Sequence, residues 1–366
     1  MSYATLFALS IALHLYIGAR LVPALPTVAA GAIALVLAVS ALATPLGLIA
    51  RRVARPPVAD TLAWVGMVCM GLFSSLLVLT FARDVLMLVP ALQPWRALSA
   101  EAVAALGVLL TLWGLLNARR TAQVVTVRVP IGHLPRELHD FRIVQISDIH
   151  VGPTIKHRYL EAIVESVNRL KPDVVAITGD LVDGPVHELG PHVAPLAKLR
   201  ARHGSFFVTG NHEYYSGAEP WLVELTRLGV RVLMNEHVVI EHGGAQLVLA
   251  GVPDYSALNF DASHRSDPHA AAQGAPSRAV KVLLAHQPRS APAAADAGFD
   301  LQLSGHTHGG QFLPWNLLVP LQQPYTAGLH RLRQLWIYVS RGTGYWGPPK
   351  RVGAPSEITE VLLQAA

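Results

Sequence analysis

The chain opens with four long apolar stretches and changes to short alternating ones after its first third. Met1–Ala19, Val28–Ala50, Leu62–Phe81 and Ala102–Asn117 carry no Asp, Glu, Lys or Arg and are separated by breaks rich in Arg and Pro. A helix needs about 20 apolar residues to cross a bilayer core. Three stretches reach that length, and the fourth does if interfacial residues flank Val103–Leu116. The pattern predicts a bundle of about four transmembrane helices over residues 1–120. Asp84–Trp95, interrupted by Pro90 and Pro94, reads as an interfacial loop, and His14 as an interfacial residue near the end of the first helix. No basic segment follows Met1, which argues against a cleaved signal peptide.

From Val124 the period shortens. Val124–Val129, Arg142–Ser147, Asp173–Thr178 and Phe206–Thr209 read as strands, with helical spacing over Ile155–Leu170, from Thr178 to Arg200, and over Glu219–Leu228. Further strand-like runs are Val238–Ile240, Gln246–Gly251, Val280–Ala285, Leu301–Ser304, Leu335–Ser340 and Ile358–Leu363. Strands alternating with helices, then a strand-rich half, predict an α/β domain of packed layers over residues 121–366. Pro253–Arg278, rich in Ala, Ser, His, Asp and Gly, reads as a long surface loop.

Composition sharpens this division. Hydrophobic residues make up 52% of the chain and charged residues 14%, against roughly 25% charged in a typical globular domain. The deficit lies almost wholly in the first 120 residues. The net charge of +5 includes no Lys/Arg-rich run, so no nucleic-acid groove is indicated. One cysteine, Cys69, supports neither a disulfide framework nor a Cys-based metal site. Arg51, Arg52, Arg55, Arg119 and Arg120 fall on one side of a four-helix arrangement and Arg20, Arg83 and Arg96 on the other. That bias of five to three favours a multi-pass inner-membrane protein whose C-terminal domain is cytoplasmic.

The strand-like runs end in chemistry. Asp148-Ile149-His150, Gly179-Asp180, Gly210-Asn211-His212-Glu213, His286 and Gly305-His306-Thr307-His308 each stand at the carboxyl end of one, the edge where open α/β sheets bind ligands. Hydrolysing a phosphoester at neutral pH needs charge neutralisation and a hydroxide nucleophile, and two divalent cations roughly 3.5–4 Å apart supply both. Holding them takes imidazole and oxygen ligands with one carboxylate shared. Asp148 and His150 would alternate across a strand end, and Gly179 would let backbone approach the ions. Asn211 offers a neutral oxygen, and His306 and His308 could each face a different ion. Each motif alone is weak; their order and shared placement carry the signal. The remaining histidines read as solvated surface.

These motifs resemble the calcineurin-like metallophosphoesterase superfamily, whose pattern runs D-x-H, GD, GNH(E/D), H, GHxH. The flanking text, QISDIHVG, GDLVDG, GNHEYY and GHTHGGQ, is similar to its membrane-associated bacterial branch, which includes UDP-2,3-diacylglucosamine hydrolase-like phosphodiesterases. The resemblance implies a four-layer α/β/β/α sandwich. It implies one metal on Asp148, His150, Asp180 and His308, and a second on Asp180, Asn211, His286 and His306. Asp180 would bridge them, and His212 would give a proton to the leaving oxygen. Manganese is the expected metal, with iron or zinc as alternatives, since such ligands suit all three.

Three functions remain open. One is a membrane-bound phosphodiesterase or pyrophosphatase acting on a lipid-linked or nucleotide-lipid substrate. The apolar run Phe312–Pro320 beside the last motif would serve it, unless that run is ordinary core. The second is an anchored phosphatase of soluble phosphoesters or phosphoproteins. The third is a non-enzymatic metal-bound scaffold, or a membrane protein whose first 120 residues carry the function, against which the complete ligand set argues.

Overall fold

The four apolar stretches form four helices: α1 (Tyr3–Leu21), α2 (Thr27–Val53), α3 (Val58–Leu86) and α4 (Arg96–Arg119). The structure is a computed structural model that describes residues 2–366. All four helices, among the described residues, are long and apolar enough to cross a membrane. Their outward faces expose large apolar side chains such as Leu15, Leu35, Phe81, Leu109 and Leu116. Their inward faces use small residues, because lipid tails are as apolar as leucine and tight packing must hold the helices instead. Gly47 of α2 and Gly66 of α3 meet backbone to backbone: a Cβ built on Gly66 would stand 2.5 Å from the Ala43 carbonyl oxygen and 2.5 Å from Gly47 Cα.

Two sequence expectations shift here. α3 runs on to Leu86, into the stretch expected as loop, and Pro90–Trp95 winds into a 3₁₀ turn. His14 is buried rather than interfacial. It lies mid-helix, with Nδ1 2.8 Å from the Ser10 carbonyl and Nε2 2.8 Å from Ser40 Oγ, so both ring nitrogens have partners.

A segment distant in sequence completes this unit. Residues up to Arg119 cluster with Gly347–Val352, while Arg120–Trp346 and Gly353–Ala366 form a second unit. Lys350 Nζ donates to the Gly71 carbonyl at 2.9 Å and to Ser75 Oγ, and lies 3.4 Å from Thr111 Oγ1. Arg351 N–H donates to the Gly114 carbonyl at 3.0 Å. A charge among apolar helices is tolerated only with such partners.

The second unit runs β1 (Gln123–Ile131), β2 (Arg142–Ile146), α5 (His157–Arg169), β3 (Val174–Ile177), α6 (Val186–Val193), β4 (Ser205–Phe207), α7 (Asn211–Ser216), α8 (Ala218–Arg227) and β5 (Val230–Val232). It continues with β6 (Glu236–His242), β7 (Ala245–Gly251), α9 (Pro268–Ala272), β8 (Val280–Leu284), α10 (Ala291–Asp296), β9 (Leu301–Ser304), β10 (Gly328–Leu332), β11 (Leu335–Val339) and β12 (Glu357–Ala365). Two six-stranded sheets result, ordered β1-β12-β2-β3-β4-β5 and β10-β11-β9-β8-β7-β6. β2 through β5 are parallel, as are β7, β8, β9 and β11.

Inward residues of both sheets, including Ile143, Val174, Phe206, Leu249, Val282 and Leu303, form one shared core. The alternate residues Val144, Val175 and Ile177 are equally buried, because the outer face of that sheet is also covered. On the other side, Ala291, Ala294 and Phe299 pack with Leu283, Ile337 and Val339. The architecture is thus a mixed α/β sandwich of two sheets between helices. Pro253–Arg278 is not a plain surface loop: it holds 3₁₀ turns and α9, and buries Asp254, Ala257 and Ala271.

Replacing Gly66 with leucine forces α2 and α3 apart and costs about 1–3 kcal/mol or more, the usual penalty for overpacking. Thermal melting of the full chain in detergent should show a lower midpoint for Gly66→Leu than for Leu35→Ala on the exposed face. Equal midpoints would mean that the two helices do not touch here.

Candidate metal centre

The parallel strands β2, β3, β8 and β9 aim their carboxyl ends at one place. The segments that follow them carry Asp148 and His150, Asp180, His286, and His306 and His308; Asn211 and His212 open α7 after β4. The structure brings seven of these into groups of mutually close ligand atoms, and Asn211 directly precedes His212 at the start of α7. Asp148, His150 and His308 form one group of mutually close ligand atoms, and Asp180, His286 and His306 another. In the first, His150 Nε2 lies 3.0 Å from His308 Nε2, and His308 Nε2 3.6 Å from Asp148 Oδ1. In the second, His286 Nε2 lies 3.2 Å from His306 Nδ1. Asp180 Oδ2 sits between the groups, 3.9 Å from His150 Nε2 and 3.2 Å from His286 Nε2.

The backbone achieves this differently from the expected strand alternation. Asp148, His150, Asp180, His306 and His308 all have positive φ, between 50° and 71°. For an ordinary residue the left-handed region costs about 1–2 kcal/mol, and such strain collects at functional sites. Asp148 and His150 face the same way because the chain coils past the end of β2, not because it stays extended. Glycines make the required room. A Cβ on Gly179, itself at φ +87°, would stand 2.6 Å from Gly210 N and 2.8 Å from His286 Nδ1. At Gly305 a Cβ would collide with Ser147 Oγ and Asp148 Oδ2.

The imidazoles are also oriented from behind. His286 Nδ1 donates to the Thr178 carbonyl at 2.7 Å, which leaves Nε2 as the ligand atom. His150 Nδ1 pairs with Asp183 Oδ1 at 3.0 Å. Metal-bound histidines are usually held in this way, with the second ring nitrogen on a carbonyl or carboxylate. Asn211 Oδ1 is buried with no hydrogen-bond partner among the described residues. An orphaned buried acceptor is costly, and a cation would satisfy it. The donor set therefore fits two divalent ions.

Charge is tightly balanced. Burial acts to raise the Asp180 carboxyl, but the His286, His212 and His150 rings outweigh it and hold it well below the usual range. Burial pushes Asp148 up. His306 is driven down to about 3 by burial and by His286, so its ring is a neutral ligand. Burial opposes protonation of His286 as well, yet Asp180 lifts it well above the ordinary value. A cation entering there would displace that proton, as metal binding generally does. For His212, burial is outweighed by the hydrogen bond to Asp183 and the Asp180 charge, which raise it to about 9.

A calcineurin-like phosphoesterase family model matches residues 141–310. A transmembrane protein with metallophosphoesterase domain from Bos taurus is 44% identical over 269 residues, covering 70% of this chain and 60% of the relative. An uncharacterized metallophosphoesterase from Helicobacter pylori is 42% identical, covering 61% of this chain and 60% of its own length. One from Aquifex aeolicus is 34% identical, covering 62% of this chain and 85% of its own. The chain belongs to the metallophosphoesterase family. It spans about 60% of the length of the first two relatives.

Two groups of this metallophosphoesterase were given no role by the sequence: Asp183, and Glu213 of the Gly210–Glu213 motif. Asp183 Oδ1 bonds both His150 Nδ1 and, at 2.7 Å, His212 Nδ1. It links a group near one ligand set to the ring beside it, and those two rings hold its carboxyl far below its usual range against the opposing effect of burial. Its only sequence signal was its place in GDLVDG, three residues past Asp180. Glu213 accepts the backbone N–H groups of Asp180, Leu181, Val182 and Gly210 at 2.6–3.3 Å. Burial and the Asp180 charge push it up to about 8, while those donors pull the other way.

Asp183→Ala should weaken metal affinity by roughly 10–100-fold, the usual effect of losing a carboxylate behind a ligating histidine. Competition with a chelator, followed by metal analysis, measures it. Wild-type affinity in the variant would show that Asp183 does not hold His150 for a cation.

Proposed function

We propose that the chain is a membrane-bound, dinuclear-metal phosphoesterase that hydrolyses a phosphodiester or pyrophosphate on a lipid-linked or nucleotide-lipid substrate. The observation that carries the reading is the sharing of Asp180 Oδ2 between two histidine-rich groups. One cation is assigned to Asp148, His150, Asp180 and His308, and the other to Asp180, Asn211, His286 and His306, with manganese the expected metal. Residues 1–120 are assigned as the membrane domain and 121–366 as the catalytic domain, on the cytoplasmic side of the inner membrane.

When bound, the two ions neutralise phosphoryl oxygens and lower the pKa of a water so that it can act as the nucleophile. The chain's own residues do the rest. His212, raised to about 9, carries a proton at neutral pH; Asp183 occupies Nδ1, so Nε2 serves as the donor to the leaving oxygen. Asp183 also keeps the ring upright against Tyr215 and Trp346, at 5.1 and 5.9 Å.

The lipid element rests on exposure. Phe312 is buried, but Leu317 is 69% and Leu321 81% exposed, so the run after the last motif is largely surface rather than core. Tyr215, Phe260 and Trp346 are exposed on the His212 side. Exposed apolar patches of this kind mark membrane or ligand contacts. A polar cavity of about 550 Å³ beside His306, lined by Arg265, Arg289, Gln287, Gln323 and Asn259, suits an anionic headgroup. The same cavity would serve the alternative, an anchored phosphatase of soluble phosphoesters or phosphoproteins.

Leu317→Asp and Leu321→Asp should slow hydrolysis of a lipid-linked pyrophosphate in mixed micelles by on the order of tenfold, about the value of one lost leucine contact. Hydrolysis of a water-soluble nitrophenyl phosphodiester by the Mn²⁺-loaded full chain should stay within about twofold of wild type. Equal rates of the variants and wild type on both substrates would favour the soluble-substrate alternative.

His212→Asn should retain wild-type metal content and slow turnover by roughly 10²–10⁴-fold, the range for a lost general acid. The defect should shrink for nitrophenolate, which leaves without a proton. A defect of the same size for good and poor leaving groups would assign His212 a positioning role.

A further inference from the structure

Outside the metal centre, three side chains meet at the opposite edge of the sheets. Asp173 immediately precedes β3, His203 lies two residues before β4, and His242 ends β6. The first two belong to one sheet and the third to the other. His203 Nε2 lies 3.0 Å from His242 Nδ1, and His242 Nδ1 lies 3.8 Å from Asp173 Oδ1. One ligand atom from each falls within 4.8 Å of the other two. All three residues are half-buried, so an ion could reach them from solvent.

The spacing matches the chain's own ligand pairs. His150 and His308 bring ring nitrogens to 3.0 Å, and His286 and His306 to 3.2 Å. A tetrahedral zinc with ligand bonds of about 2.0–2.1 Å puts neighbouring donor atoms about 3.4 Å apart, between the two distances seen here.

The group is also held from behind. Asp173 Oδ2 accepts the Arg142 N–H at 2.9 Å, which leaves Oδ1 for the imidazoles. The His203 N–H donates to the Asp173 carbonyl at 2.8 Å, fixing the two loops to each other. The buried Phe141 ring stacks on His203 at 6.0 Å and meets His242 edge-on at 5.0 Å. Burial, assisted by His242, lowers the His203 pKa, which keeps that imidazole neutral and able to ligate.

We propose that Asp173, His203 and His242 bind a further divalent cation, zinc by its two imidazoles and one carboxylate, and that this ion ties the two sheets at the edge away from the reaction. Three protein ligands leave a fourth position for water. Zinc also stands near the top of the affinity order for such nitrogen and oxygen donors. The competing arrangement is a plain hydrogen bond between the two rings.

The test is the zinc content of the full chain in detergent, equilibrated with buffered free Zn²⁺ and counted by native mass spectrometry. Wild type should hold one more zinc than His203→Ala and one more than His242→Gln. Both variants should hydrolyse the nitrophenyl ester at the wild-type rate, and added zinc should raise the melting temperature of wild type more than theirs. Glutamine at 242 can still hydrogen-bond His203, so a plain ring pair would leave the count unchanged. Asp173→Asn, which keeps the bond from Arg142 N–H, gives an independent count if His203→Ala disturbs β4. Equal zinc counts in wild type and these variants would overturn the site.

Discussion

The Asp180 carboxylate is the constraint on which the second unit turns. One oxygen must face two groups of histidines while fully buried, and burial alone would neutralise it. The surroundings hold it charged. His286 approaches from the second sheet, His150 from the end of β2, and the His212 N–H donates to Oδ1 at 2.9 Å. Glu213 fixes the backbone around it by gathering the N–H groups of three consecutive residues. Two sheets packed face to face are what allow ligands from β2, β3, β8 and β9 to converge on one carboxylate, so the core between them also serves the site.

This convergence explains what the sequence could and could not reveal. Acidic and imidazole residues directly after short apolar runs are visible as text, and Asp148, His150, Asp180, His212, His286, His306 and His308 lie in groups of mutually close ligand atoms. The way they reached those groups was not visible. Five of them are left-handed residues beyond the strand ends, a choice imposed by neighbours from other strands. Asp183 and Glu213 act on ring nitrogens and backbone N–H groups, and nothing in their local pattern announces such partners. β5 and β10 are too short or too polar to show a period of two. His203 and His242, 39 residues apart, looked like scattered surface histidines until the two sheets were seen to meet.

In the helical unit, legibility failed in the other direction. Apolar length alone identified the four helices, because the bilayer dictates it. His14 was misplaced because its partners, Ser10 and Ser40, supply polarity inside a helix pair that reads as uniformly apolar. Gly47 and Gly66 are ordinary letters in an apolar run, and only the approach of two backbones gives them meaning. The exposed run at Leu313–Leu321 shows the same ambiguity, since hydrophobicity cannot distinguish core from a surface that meets lipid.

Lys350 gives the helical unit an unusual history. It lies 279 residues after Gly71, whose carbonyl it contacts. At about 5–20 residues per second, ribosomes need about 15–55 s to span that gap. Through that interval α3 and α4 exist without the ammonium group that bonds to the groove between them. A nascent chain released before Lys350 is made would therefore carry four helices with this fastening absent. The helical unit is in this way completed only after the chain has passed β11 of the second unit.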